Sequence, residues 1–125
     1  MQKIEPIITE IGKIWGRDAI YLDEMKMINE MTFQLSGEIT NPVEKKYIIT
    51  FKEVYLFKMI ELDFDELEYQ SSFDIVKNSE QVNNMIKLDK EEHIGKIDNS
   101  FMHFVFRTYD TVFEIIGKEY ELELK

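Results

Sequence analysis

The chain has 125 residues and sets 25 Asp and Glu against 15 Lys and Arg, a formal net charge of −10 at pH 7. Such a balance disfavours nucleic acid and anionic lipid as partners, because each basic side chain that would meet a phosphate competes with more numerous carboxylates. The absence of cysteine excludes disulfides, thiolate nucleophiles, Cys-based zinc centres and iron–sulfur clusters together. With 44% hydrophobic and 13% aromatic residues, the chain can fill one core, and the composition predicts a single domain over residues 1–125. The apolar runs are far shorter than a membrane span requires, and no basic segment followed by an apolar one opens the chain. A soluble, cytoplasmic protein without a membrane partner is the expectation.

Residues 1–24 are ambiguous. Ile4, Ile7, Ile8, Ile11 and Trp15 fit one helical face, and Pro6 is tolerated in an opening turn, so the spacing predicts a short helix over residues 5–14, with a strand as the alternative. From Met31 the period becomes two: Met31, Phe33 and Leu35 fall on one face, Thr32, Gln34 and Ser36 on the other. Pro42 lies in a polar stretch over residues 40–45, after which Tyr47, Ile49 and Phe51 share a face, and together these predict a β-hairpin. Residues 54–64 are rich in β-branched and aromatic side chains. Their second half reads as a strand, with Leu56, Ile60, Leu62 and Phe64 on one side and Glu61 and Asp63 on a wet one. Lys58 breaks the apolar series and predicts a bulge or an edge position.

Residues 71–76 form a short strand candidate. Asn78 or Ser79 is placed to cap a short helix bearing Val82, Met85 and Ile86, before a charged loop over residues 88–92. Residues 101–107 are strongly β-prone, with bulky groups on both faces. Residues 111–116 are either a strand or a short helix capped by Asp110. Tyr120, Leu122 and Leu124 alternate with Glu119, Glu121 and Glu123 in a final strand. Gly37 and Gly117 read as sites of a bulge or bend. Strands in succession with little helix between them predict a mainly β, β-rich α+β fold, an antiparallel sandwich or a strongly curved, partly closed sheet with one or two short helices.

Few residues suggest chemistry. His93 and His103 lack the spacing that brings two ring nitrogens to one metal, and His103, between Phe101 and Val105, reads as a structural, partly buried histidine. No serine sits in a Gly-x-Ser-x-Gly elbow, the glycines form no phosphate cradle, and no pattern calls for a metal or other cofactor. The carboxylates near Asp63 lack the glycine and spacing of a calcium loop. Among the aromatic residues, Trp15, Tyr21, Tyr55 and Tyr69 have mixed surroundings; core packing is the expectation for each, and they are the first to test as contacts for a partner. The clearest surface signal is electrostatic: Glu61, Asp63, Asp65, Glu66, Glu68 and Asp74 follow one another without an intervening basic residue.

Two segments, Ser72-Phe-Asp-Ile-Val-Lys-Asn-Ser-Glu and His103-Phe-Val-Phe-Arg-Thr-Tyr-Asp-Thr-Val-Phe-Glu-Ile-Ile, together with Ser36-Gly37 and Phe51-x-x-Val54, resemble small bacterial proteins of the YxiG-like kind. Some small acidic proteins of that sort look like the immunity partners of polymorphic toxins. The resemblance spans residues 31–124 and implies a β-rich domain with a protein-binding role and no active-site residues to transfer. The expectation is then a non-enzymatic interaction domain whose acidic stretch, Glu61, Asp63, Asp65, Glu66, Glu68 and Asp74, covers a basic protein such as a toxin domain. Two alternatives stand beside it. One is a small-molecule-binding domain or small enzyme with an aromatic-lined pocket near His103 and a carboxylate beside it. The other is a domain that pairs with itself through an edge strand, and the sequence leaves monomer and dimer open.

Overall fold

The computed structural model describes Met1–Lys125. Period-two patterning governs most of it. A four-stranded antiparallel sheet is built from β4 (Ile20–Asn29), β5 (Thr32–Ile39), β6 (Lys45–Lys52) and β11 (Glu119–Leu124), in the order β11-β6-β5-β4. A five-stranded antiparallel sheet is built from β1 (Lys3–Pro6), β7 (Leu56–Glu61), β8 (Phe73–Lys77), β9 (Met102–Arg107) and β10 (Thr111–Gly117), in the order β1-β8-β9-β10-β7. Two two-residue strands, β2 (Ile8–Thr9) and β3 (Gly12–Lys13), form a small hairpin, and one helix, α1 (Glu80–Glu92), follows β8. The β-rich α+β sandwich expected from the pattern is the fold observed.

The two sheets meet through their apolar faces. Leu35, Tyr47, Ile49 and Phe51 face Phe73, Phe104, Phe106, Phe113 and Ile115 in one continuous buried cluster. Phe51 packs on Phe104 with ring centroids 5.5 Å apart, and Tyr47 on Phe106 at 5.6 Å. Burying one such ring contributes about 1.5–3 kcal/mol, so these aromatic residues carry much of the stability. Gly37 opposes a bulge in β4 between Leu22 and Glu24, and a Cβ there would lie 1.9 Å from the Tyr21 carbonyl oxygen. Only a glycine lets the two backbones come so close. The bulge also shifts parity, so Ile20 and Leu22 before it and Met25 and Met27 after it fall on the same side of the sheet as Leu35, the two methionines remaining exposed.

Several sequence expectations need correction. Residues 5–14 are not helical: β1 adds to the edge of the five-stranded sheet, in register from Lys3 opposite Lys77 to Pro6 opposite Asp74. The unpaired N–H and C=O groups of β8 reward an added strand more than a short isolated helix would be rewarded, and Pro6 ends an edge strand, where its missing donor matters least. The expected strand over the second half of residues 54–64 stops at Glu61, and residues Leu62–Phe64 form a 3₁₀ turn whose Asp63 N–H is capped by the Glu61 carboxylate at 2.8 Å. Lys58 does lie on an edge strand, with no bulge.

The helix is longer than its apolar spacing suggested, running through the stretch expected to be a charged loop. Asp89 explains the extension: it stays helical while its carboxylate accepts backbone N–H groups from Gly95, Lys96 (2.8 Å) and Ile97 (2.6 Å). These bonds, that from Ile97 foremost, hold its carboxyl below the ordinary 3.8. Residues 111–116 are a strand, and residues 20–29, unassigned from the pattern, form the longest one.

The outer face of the five-stranded sheet is covered as well. Helix α1 packs Val82 against Phe101 and Ile116. Leu62 and Leu67, from the segment between β7 and β8, cover Val76, Val105 and Val112.

Candidate functional site

Arg107 organises the acidic segment from beneath. Its guanidinium is buried on the outer face of β9. Nε donates to Asp65 Oδ2 at 2.9 Å, one terminal nitrogen donates to Asp74 Oδ2 (2.6 Å) and the Ser71 carbonyl (2.8 Å), and the other donates to the Glu68 carbonyl (3.1 Å). Asp74 is fully buried and also accepts from Gln70 N, Ser71 N and Ser71 Oγ. No buried side-chain nitrogen or oxygen is left without a hydrogen-bond partner, the condition under which a buried ion pair is tolerated.

The six carboxylates singled out from sequence therefore divide. Glu61, Asp63, Glu66 and Glu68 are exposed. Asp65 and Asp74 turn inward and do not belong to an outward acidic face, because they neutralise Arg107, which the acidic run does not contain. The segment is thus anchored from inside while it presents four negative groups outward.

Beside this segment lies a cleft of about 310 Å³, lined by Trp15, Gly16, Arg17, Leu62, Tyr69, Ser72, Arg107 and Thr108. Two of the four aromatic residues singled out from sequence, Trp15 and Tyr69, form its walls, each about half exposed. A third, Tyr21, stacks on Tyr109 at 5.4 Å, and the Arg17 guanidinium lies 5.3 Å from the Tyr109 ring centre. Tyr55 instead packs against Phe101 beneath the helix.

Local backbone contacts position these walls. Ile14 is fully buried and its carbonyl accepts from Ser72 N, while the Trp15 carbonyl accepts from Asn41 Nδ2. Gly16 adopts φ +112°, a conformation side-chain-bearing residues avoid. Its N–H then meets the Tyr69 hydroxyl at 2.5 Å and its carbonyl accepts from Ser72 Oγ at 3.0 Å.

A second polar group of residues sits under α1. His103 is buried on β9, with Nδ1 2.8 Å from Ser79 Oγ and Nε2 2.9 Å from Glu114 Oε1. Ser79 caps α1, its Oγ accepting from Val82 N at 3.1 Å. In the neutral ring, the Ser79 hydroxyl donates to Nδ1 and Nε2–H donates to Glu114, which satisfies all three groups. The hydrogen bond to His103, foremost, holds the Glu114 carboxyl below its ordinary 4.5 against the opposing effect of burial, with Lys58 assisting at 3.8 Å. A cavity of about 250 Å³ adjoins Ser79 and His103, with Asn78, Asn83 and Asn99 in its lining.

The sequence pattern points to no serine, and it leaves the carboxylate expected beside His103 without a residue number. The carboxylate was within reach: a hairpin joining residues 101–107 to 111–116 sets Val105 opposite Glu114 and makes His103 its diagonal neighbour. Ser79 was not, since only the docking of α1 brings it there. No three carboxylate or imidazole groups gather closely enough to hold a metal ion. No helix is long and apolar enough to cross a membrane. No protein-family model, curated protein or solved structure matches the chain.

Proposed function

We propose that this chain is a non-enzymatic acidic interaction domain of the immunity type, which neutralises a basic toxin domain by covering its cationic surface. The observation that carries this reading is the segment pinned by Arg107, with Glu61, Asp63, Glu66 and Glu68 exposed on it and no basic residue among them. A fixed array of one sign speeds encounter with an oppositely charged surface and selects against like-charged partners. A toxin that cleaves nucleic acid has a cationic cleft, and an anionic plug there competes with its substrate. The aromatic walls beside the segment are of the residue types that anchor such interfaces.

The test starts from the gene neighbourhood, where the reading expects a gene for a basic toxin domain, and measures protection of cells that express that domain together with this chain. Asp63→Lys, Glu66→Lys and Glu68→Lys combined should abolish protection and binding at low salt while leaving the fold intact, because none of the three side chains is buried. Undiminished protection by that variant would refute the reading.

The hydrogen-bonded series Ser79–His103–Glu114 beside a cavity favours a second reading, a small hydrolase with Ser79 as nucleophile. In that case a fluorophosphonate should label Ser79 and His103→Gln should slow the labelling. An unlabelled protein leaves the series as the tether of α1.

A further inference from the structure

The cleft between Trp15 and Tyr69 has a chemistry distinct from that of the acidic segment beside it. Its volume, about 310 Å³, lies at the lower end of the range for small-ligand sites, about 300–1,000 Å³. Its polar lining is already engaged: Gly16 N–H with Tyr69, Ser72 Oγ with the Gly16 carbonyl, Thr108 Oγ1 with the Thr111 carbonyl, and Arg107 with its carboxylates and carbonyls. What remains is an apolar slot with two exposed aromatic walls and a single uncommitted charge.

That charge is Arg17, one of only two arginines in the chain. It takes part in none of the ion pairs. Its guanidinium lies over the Tyr109 ring, 5.3 Å from the ring centre, an attraction that takes none of its N–H donors. The donors form a fork that fits a carboxylate bidentately.

We infer that this cleft binds a small planar aromatic carboxylate, its ring between Trp15 and Tyr69 and its carboxylate on Arg17. The charges present choose among ligand classes. A cation is opposed by Arg17 in the lining. A dianion exceeds what one guanidinium neutralises, and the carboxylate of Asp18 follows directly in the chain. Exposed charges more than about 8 Å from the cleft are largely screened at physiological ionic strength, and none of the nearer carboxylates of the acidic segment belongs to its lining. The inference does not depend on the immunity reading, which uses the outward carboxylates of residues 61–68.

The experiment uses the full chain, whose one tryptophan is Trp15 and therefore gives one indole N–H signal in a ¹H–¹⁵N spectrum. 2-Naphthoate, neutral naphthalene-2-carboxamide and cationic 2-naphthylmethylammonium are titrated at neutral pH. Naphthoate should move the Trp15 indole and Arg17 Nε–H signals saturably, with a dissociation constant at least about tenfold below those of the other two probes. Arg17→Gln, an exposed substitution, should remove that preference while the rest of the spectrum is retained. Absence of saturable shifts at millimolar naphthoate, equal binding of the ammonium or the amide, or shifts confined to other residues would each overturn the proposal.

Discussion

Two polar groups of residues stand on the outer face of β9, centred four positions apart, and each fastens one covering segment to the sheet. Arg107 holds the acidic segment through two carboxylates and two backbone carbonyls. His103 holds α1 through one hydroxyl and one carboxylate. A guanidinium keeps its charge at any pH the folded protein meets, and its five donors fix a loop in several directions at once. An imidazole offers two nitrogens whose roles change with protonation. The segment proposed to meet a partner is therefore attached by a fork that meets four acceptors, and the helix by a ring that meets two groups.

The largest break in this comparison is expected from Arg107→Ala. It leaves Asp74 buried without its cation, and stability by urea denaturation should fall by about 3–5 kcal/mol. Amide exchange should quicken first over residues 62–72. Arg107→Lys should recover little of the loss, because one ammonium cannot reach acceptors spread around a planar fork. His103→Leu is expected to cost less, about 1–3 kcal/mol for a buried group left unsatisfied, since Glu114 keeps Lys58 nearby. Its damage should map to α1 and spare the acidic segment, which hydrogen exchange can distinguish.

Ser79→Ala removes only the cap and one bond to His103, and should cost about 0.5–2 kcal/mol with fraying of the first helical turn. The smallest effect concerns pH. The Glu114 carboxyl is lowered in the folded state, so the unfolded chain takes up the proton first. Its stabilisation is complete above the ordinary 4.5 and is lost as pH falls through the folded value. His103→Leu should flatten that part of the acid limb. Arg107→Ala, whose charge is the weakest of the causes lowering Glu114, should leave it nearly unchanged. Asp89, lowered foremost by the Ile97 N–H bond, and Asp98, lowered foremost by the Ser100 hydroxyl, should account for the acid slope that persists.

Legibility from sequence followed the range of the interactions involved. The faces of β5, β6 and β11 could be read directly because alternation is a local property that the sheet preserves: Tyr47, Ile49 and Phe51 do share the inner face. The helix cap was legible to within one residue, Asn78 or Ser79, for the same reason, and the structure selects Ser79. The edge strand β1 was not, because its apolar spacing suits a helix and only the open edge of β8 selects the extended form. In the candidate site, Trp15 and Tyr69 stood out as aromatic residues in mixed surroundings, but their shared cleft arises across 54 residues of chain, through a bond between Gly16 and Tyr69. Glu66 and Glu68 could be read as exposed. Asp65 and Asp74 looked identical to them until Arg107 was in place.

By itself the sequence determined a cysteine-free, acidic, strand-dominated chain and the inward side of β5, β6 and β11, since charge, composition and period two do not depend on what lies next to what. Tertiary structure alone decided which carboxylates face water, which histidine nitrogen meets which partner, and that two aromatic side chains and one free arginine line a single cleft. Those outcomes depend on contacts between residues far apart in the chain, where burial and charge pairing outweigh any preference a residue has among its sequence neighbours.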